Sequence, residues 1–134
     1  MTRLLIIILL TLTACGTAVD ENGLGSETKA FPKEMVDKYP QFDLANTQIG
    51  FCTEGDFHFC YIDLKDYTSG SDPGQLIALT NDVYSMYHRD FDFSEVFIRT
   101  RHVEFRFESI PVKSAELKTD TATRSPHDTI VYIR

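Results

Sequence analysis

Three cysteines, four histidines and a late group of arginines are the residues of this 134-residue chain whose types and spacing could do chemistry. Cys52 and Cys60 flank Thr53-Glu54-Gly55-Asp56, a stretch with turn chemistry, so a hairpin centred on Asp56 would set the two thiols opposite one another. In an oxidising compartment that pair suits a structural disulfide, and the chain-entropy model gives about 2.5 kcal/mol for closing so short a loop. A redox or metal pair fits less well, because Cys-x-x-Cys spacing is absent. His58, His88, His102 and His127 are too dispersed for a metal signature of two histidines on adjacent helical turns. Ser69-Gly70-Ser71 lacks the Gly-x-Ser-x-Gly of a nucleophile elbow, and Gly70-Ser71-Asp72-Pro73-Gly74 is not followed by a Lys or Thr that would grip phosphate. No catalytic residue, metal ligand or cofactor is assigned.

Arg99-Thr100-Arg101-His102 is the sharpest feature. Strand side chains alternate with period two. The apolar positions are even at Val96 and Ile98 and odd at Val103, Phe105 and Phe107, so one straight strand cannot bury both sets. A bulge, bend or tight turn must reset the phase near residues 99–102. Such a break would present Arg99, Arg101 and His102 together, with Arg106 further along and Arg89 ending the preceding helix. This group is the candidate partner-binding site, for a partner's carboxylates or a phosphate; pairing with the chain's own surplus acids is the alternative.

The elements that must position these residues can be read in order. Phe31, Met35 and Tyr39 recur four apart between Pro32 and Pro40, which predicts a short helix over 32–38. Residues 48–52 and 57–64 are aromatic and β-branched and predict the two strands of the hairpin. Asp72 as cap, Pro73 in the first turn and Gln75 reaching back predict the start of the main helix, 73–89, along which Leu76, Leu79, Val83 and Met86 form one apolar stripe. Val96–Ile98, Val103–Phe107 and Thr129–Ile133 predict strands, whereas residues 109–128 predict a long loop, a short hidden hairpin or a mobile binding loop. The aromatics Phe57, Phe59, Tyr61, Phe91 and Phe93 alternate as in a strand and are expected in the core. The expected fold is α+β: a small antiparallel or mixed sheet of about four strands, with the 73–89 helix packed on one face.

Before this domain, Arg3 and the apolar stretch from Leu4 to Leu12 have the layout of an export signal. The stretch is about half of the roughly 20 apolar residues that a membrane-spanning helix requires. Leu12-Thr13-Ala14-Cys15 resembles a lipobox, the motif of bacterial lipoprotein precursors. The resemblance is confined to the signal. It implies a cut between Ala14 and Cys15, diacylglycerol on the Cys15 thiol and acylation of the new N-terminus, two chains being what stable anchoring needs. Gly16 in place of aspartate after the cysteine favours, by the same resemblance, the outer membrane facing the periplasm. Residues 16–30 are glycine-rich and acidic without apolar periodicity, so a flexible tether is expected. The expected organisation is a signal over 1–14, lipidated Cys15 and tether over 15–30, and a single domain over 31–134.

The precursor carries 13 basic and 20 acidic residues, and loss of the signal removes only Arg3, which leaves a formal charge of −8. So acidic a chain is a poor candidate for nucleic acid, which is held by clustered Lys and Arg, and suits a cationic partner better. Residues 15–74 hold 11 acids against four lysines, whereas residues 75–134 hold nine acids and eight bases. Two function classes remain. One is a membrane-anchored envelope lipoprotein that acts as a non-catalytic binding, accessory or inhibitory module toward an envelope protein; the other is a cell-envelope hydrolase whose active site is assembled from dispersed residues.

Overall fold

The computed structural model describes residues 25–64, 66–68, 73–113, 118–125 and 128–134. Seven strands form one mixed sheet: β1 (Gly25–Ala30), β2 (Gln48–Glu54), β3 (Phe57–Asp63), β4 (Glu95–Arg99), β5 (Val103–Phe107), β6 (Thr119–Ser125) and β7 (Asp128–Ile133). Their spatial order is β1-β2-β3-β4-β5-β7-β6. The pairs β3–β4 and β5–β7 are parallel, and the rest are antiparallel. Two helices accompany the sheet, α1 (Lys33–Lys38) and α2 (Gly74–Tyr87), with short 3-10 turns at Pro40–Phe42 and Leu44–Asn46.

The expected sheet of about four strands is therefore corrected to seven. The five segments read as strand all form one, and the two additional strands lie at the two edges. β1 occupies the second part of the segment expected as tether, and β6 lies within 109–128, the stretch expected as a long loop, a short hidden hairpin or a mobile binding loop; it forms a hairpin with β7. Both are built from Thr, Ser, Gly, Ala and charged residues, so neither shows the apolar alternation that marks a strand in sequence. Each is recruited by a backbone ladder from one apolar neighbour, β2 or β7.

α2 begins at Gly74 with Pro73 at the N-cap, and no side chain caps it; the expected cap, Asp72, lies outside the described residues. Leu76, Leu79 and Val83 are buried against Ile49, Phe51, Cys60, Ile62, Val96, Ile98, Phe105 and Phe107. Every one of those strand positions has the same parity within its ladder, so α2 covers a single face of the sheet. Each such Leu, Val or Phe contributes on the order of 1.5–3 kcal/mol by burial. The helix ends where His88 Nδ1 donates to the Tyr84 carbonyl at 2.8 Å while its ring stacks on Tyr84.

α1 closes one end of this core with Phe31, Met35 and Tyr39 buried. Its link to α2 is polar: the Tyr39 hydroxyl and Lys38 Nζ both donate to the Asp82 carboxylate, the lysine at 2.7 Å. Asn81 next to it brackets Val112, accepting from its N–H at 2.7 Å and donating to its carbonyl at 3.1 Å, which ties the segment after β5 to the same helix.

Partial burial opposes the charge on Asp82, but the hydrogen bonds from Lys38 and Tyr39 outweigh it and hold the carboxyl below its usual range. A carboxyl depressed by folding stabilises the native state above its unfolded pKa, and that contribution is lost as pH falls through the folded value. Thermal melts across the acidic range should accordingly show a shallower acid slope for Asp82→Asn than for the wild type, with a lower melting temperature at neutral pH. Parallel acid slopes would separate this carboxylate from the docking of α1.

Candidate functional site

The face of the sheet away from α2 carries an aromatic and charged surface. One row crosses all seven strands in register: Thr28, Gly50, Tyr61, Phe97, Arg106, Tyr132 and Asp120. Phe57 and Phe59 stand on the same face beside it, because β3 presents its odd positions there. Phe57, Phe59, Tyr61, Phe97 and Tyr132 are all half-buried. The expectation that Phe57, Phe59 and Tyr61 belong to the core is corrected, since all three are only half-buried and, among the described residues, the one long helix lies on the other side. Phe93 is buried and Phe91 stacks on Phe51, so those two do join the covered face.

The rings stack on each other. Phe57 and Phe59 have centroids 5.2 Å apart, and Phe59 and Phe97 4.8 Å apart, at interplanar angles of 27° and 25°. The Arg106 guanidinium lies 4.8 Å from the Phe97 centroid and 5.7 Å from that of Tyr132, and Arg134 lies 5.8 Å from Tyr132. Side chains stand perpendicular to a sheet, so rings and guanidinium planes alternate along a ridge and turn their edges outward. A sugar needs an open ring face on which to stack. This ridge offers edges, with its faces engaged internally, and that geometry suits a protein surface more than a glycan.

Each charge on the ridge has a named neighbour. Arg106 Nε donates to Glu104 Oε2 at 2.8 Å, and Glu104 is nearly buried. Arg99 is in register with Asp63 on one side and Glu104 on the other. Arg134 reaches Glu108 at 2.5 Å and Asp120 at 3.2 Å. Burial, and then the charge of Glu108, raise the Glu95 carboxyl above its usual range. That pair stands on the open sheet, and Glu108 is already claimed by Arg134, so it lacks the enclosed, water-excluding setting of a two-carboxylate active site. Beside the ridge, Gly50 supplies no side chain. A groove of about 450 Å³ opens there, lined by Thr28, Gln48, Tyr61 and Asp63 with Asn46 and Thr47 from the second 3-10 turn.

The arginines named from sequence divide into two groups. The chain does turn at Thr100–His102: β4 ends at Arg99, β5 starts at Val103, and Thr100 donates to the Val103 carbonyl through both its N–H, at 2.7 Å, and its hydroxyl, at 2.8 Å. Arg99 and Arg106 project onto the open face on either side of Glu104. Arg101 and His102 are exposed at the tip, where their backbone groups bind the Tyr67 carbonyl and the Thr129 N–H. The four do not form one cationic patch, and Arg106 is engaged with the chain's own acid. Of the histidines, His58 Nδ1 lies 3.0 Å from Thr53 Oγ1, and His88 caps α2. Cys15 and His127 lie outside the described residues.

The hairpin disulfide expected between Cys52 and Cys60 is also corrected. The turn holds two residues, Gly55 and Asp56, so Cys52 pairs with Phe59 and Cys60 with Phe51. A one-residue offset in an antiparallel ladder places two side chains on opposite faces. Cys60 is a free thiol, fully buried beneath α2, and burial pushes its pKa far up. Gly55 fixes this register with φ +62°, a left-handed conformation that costs other residues roughly 1–2 kcal/mol.

The aromatic ridge escaped sequence reasoning, although a signal exists. In Phe57–Leu64 both parities are apolar, while the sequence predicts one long helix, 73–89, to cover them. Mass mapping of alkylated protein should find Cys60 unlabelled in the native state, labelled after denaturation, and never joined to Cys52; a peptide linking the two would refute the register.

No protein-family model matches this chain, and neither a curated protein nor a solved structure matches it.

Proposed function

We propose that this chain is a lipid-anchored envelope protein that holds a protein partner against the open face of its sheet, as a non-catalytic accessory or inhibitory module. The observation that carries the reading is the half-exposed ridge of Phe57, Phe59, Phe97, Arg106 and Tyr132. Tyr, Phe and Arg are the residues enriched in interface hot spots, and preordered rings lose little entropy when a partner covers them. The stacked guanidinium is already oriented, so its ion pair and its ring contacts need no rearrangement on binding. The anchor rests on the short apolar stretch and on Leu12-Thr13-Ala14-Cys15. A tethered domain meets its partner at high effective concentration, so even a modest face can serve.

Two experiments test this reading. Labelled palmitate should enter the wild-type chain in cells, and Cys15→Ser should take up none and leave the membrane fraction; label retained by that variant would remove the anchor. For the face, Leu79→Ala in the core should cost about 3 kcal/mol. Phe97→Ala combined with Tyr132→Ala should cost clearly less stability than that, yet lower partner retention in envelope crosslinking by at least tenfold. Equal retention by the double variant and the wild type would rule the open face out as the contact.

A further inference from the structure

The covered face of the sheet is not covered to its end. α2 stops at Tyr87, and the chain returns to β4 through residues 88–94. A cavity of about 320 Å³ remains at that corner, floored by Phe51 and Phe93, walled by Phe91 and rimmed by Glu27, Asp90 and Asp92. The three carboxylate residues are exposed, whereas Phe51 and Phe93 are buried. Phe51 and Phe91 stack at 4.0 Å and 7°, which fixes the Phe91 ring and leaves its other face outward.

An ammonium group already occupies that outward region. Lys29 Nζ, from the edge strand β1, lies 5.4 Å from the Phe91 centroid and 3.9 Å from Glu27 Oε1. An ammonium over a ring with a carboxylate beside it is the arrangement by which a cation is held. Lys29 keeps 44 % of its side chain exposed, so its grip is screened by solvent and readily exchanged. Without it, the cavity lining holds three acidic residues and the Phe91 ring. His58, which also lines the cavity, has its Nδ1 engaged with Thr53 Oγ1 at 3.0 Å.

We propose that this corner receives a lysine or arginine side chain of a basic protein partner, which displaces Lys29 from the Phe91 ring. The inference rests on the reading that the chain binds a protein, and it specifies that partner's charge. It agrees with the chain's 20 acids against 13 bases. The site is separate from the ridge: the cavity and the ridge share only Phe59.

The test uses the full chain, ¹⁵N-labelled in zwitterionic detergent micelles, titrated with hexalysine and, as a control, hexaglutamate. Hexalysine should shift the amides of Thr53, His58, Phe91 and Asp92, and hexaglutamate should not. Asp90→Asn with Asp92→Asn should weaken binding at least fivefold, and Phe91→Leu, which keeps the charge, about threefold. Lys29→Gln, which frees the Phe91 ring, should tighten binding more than Lys33→Gln, which makes the same charge change on α1. Equal effects of the two lysine variants would mean diffuse attraction and overturn the proposal, as would shifts confined to other surfaces or no shifts at all. Phe97→Ala with Tyr132→Ala should leave hexalysine binding unchanged. Loss of hexalysine binding alone, with partner retention intact, would sink this site and spare the open face; the converse result would spare this site.

Discussion

One helix of 14 residues can cover one face of a sheet, and this sheet has two. The rest of the molecule follows from that inequality. Strand parity assigns Ile49, Phe51, Cys60, Ile62, Val96, Ile98, Phe105 and Phe107 to the side on which α2 lies, and the core closes there. On the opposite parity Cys52 and Ile130 are buried, and the remaining apolar area stays at the surface. It amounts to a row of aromatic residues on β3, β4 and β7 that stabilises itself by stacking and by a guanidinium wedged between two rings. Soluble domains seldom leave so continuous an apolar strip without a use for it.

Register carries this assignment across the sheet. The two-residue turn at Gly55 fixes β2 against β3, so that Phe51 and Cys60 share the core while Cys52 and Phe59 share the other side. The break at Thr100–His102 performs the same task between β4 and β5. Without it, the parity that places Ile98 in the core would send Phe105 and Phe107 outward. Thr100 is buried and doubly bonded to Val103, which makes the reset a built feature rather than a frayed end. Arg99 and Arg106 thus reach the open face for a reason of phase, on either side of Glu104.

Much of this was legible in the residues and some was not. Helices α1 and α2, the hairpin and the phase break at residues 99–102 each have a local signal: spacing, turn chemistry or a parity conflict. The edge strands have none, because Gly25–Ala30 and Thr119–Ser125 gain their structure from a neighbour's unpaired backbone and bury little of their own. The cysteines illustrate a finer limit. Eight residues of separation across a hairpin are compatible with either face, and a single residue in the turn length decides between a bridge and a buried free thiol. The parallel pairings β3–β4 and β5–β7 are likewise long-range and leave no mark in any one segment.

Charge follows the same division of labour. Arg99, Arg106 and Arg134 on the open face stand against Asp63, Glu104, Glu108 and Asp120, with Glu95 beside them, so the described part of that face has no cationic excess and its distinguishing property is aromatic area. An acidic group without an arginine among its lining lies at the corner where Glu27, Asp90 and Asp92 surround Phe91. For the basic partner we propose, long-range attraction and short-range complementarity would be supplied by different parts of the chain. Fields act over about a Debye length, some 8–10 Å in physiological salt, and set the rate of encounter, whereas buried rings set how long a complex lasts. A chain that keeps its aromatic ridge apart from its acidic corner can adjust the two separately, because a substitution at the corner leaves the stacked rings of the ridge untouched.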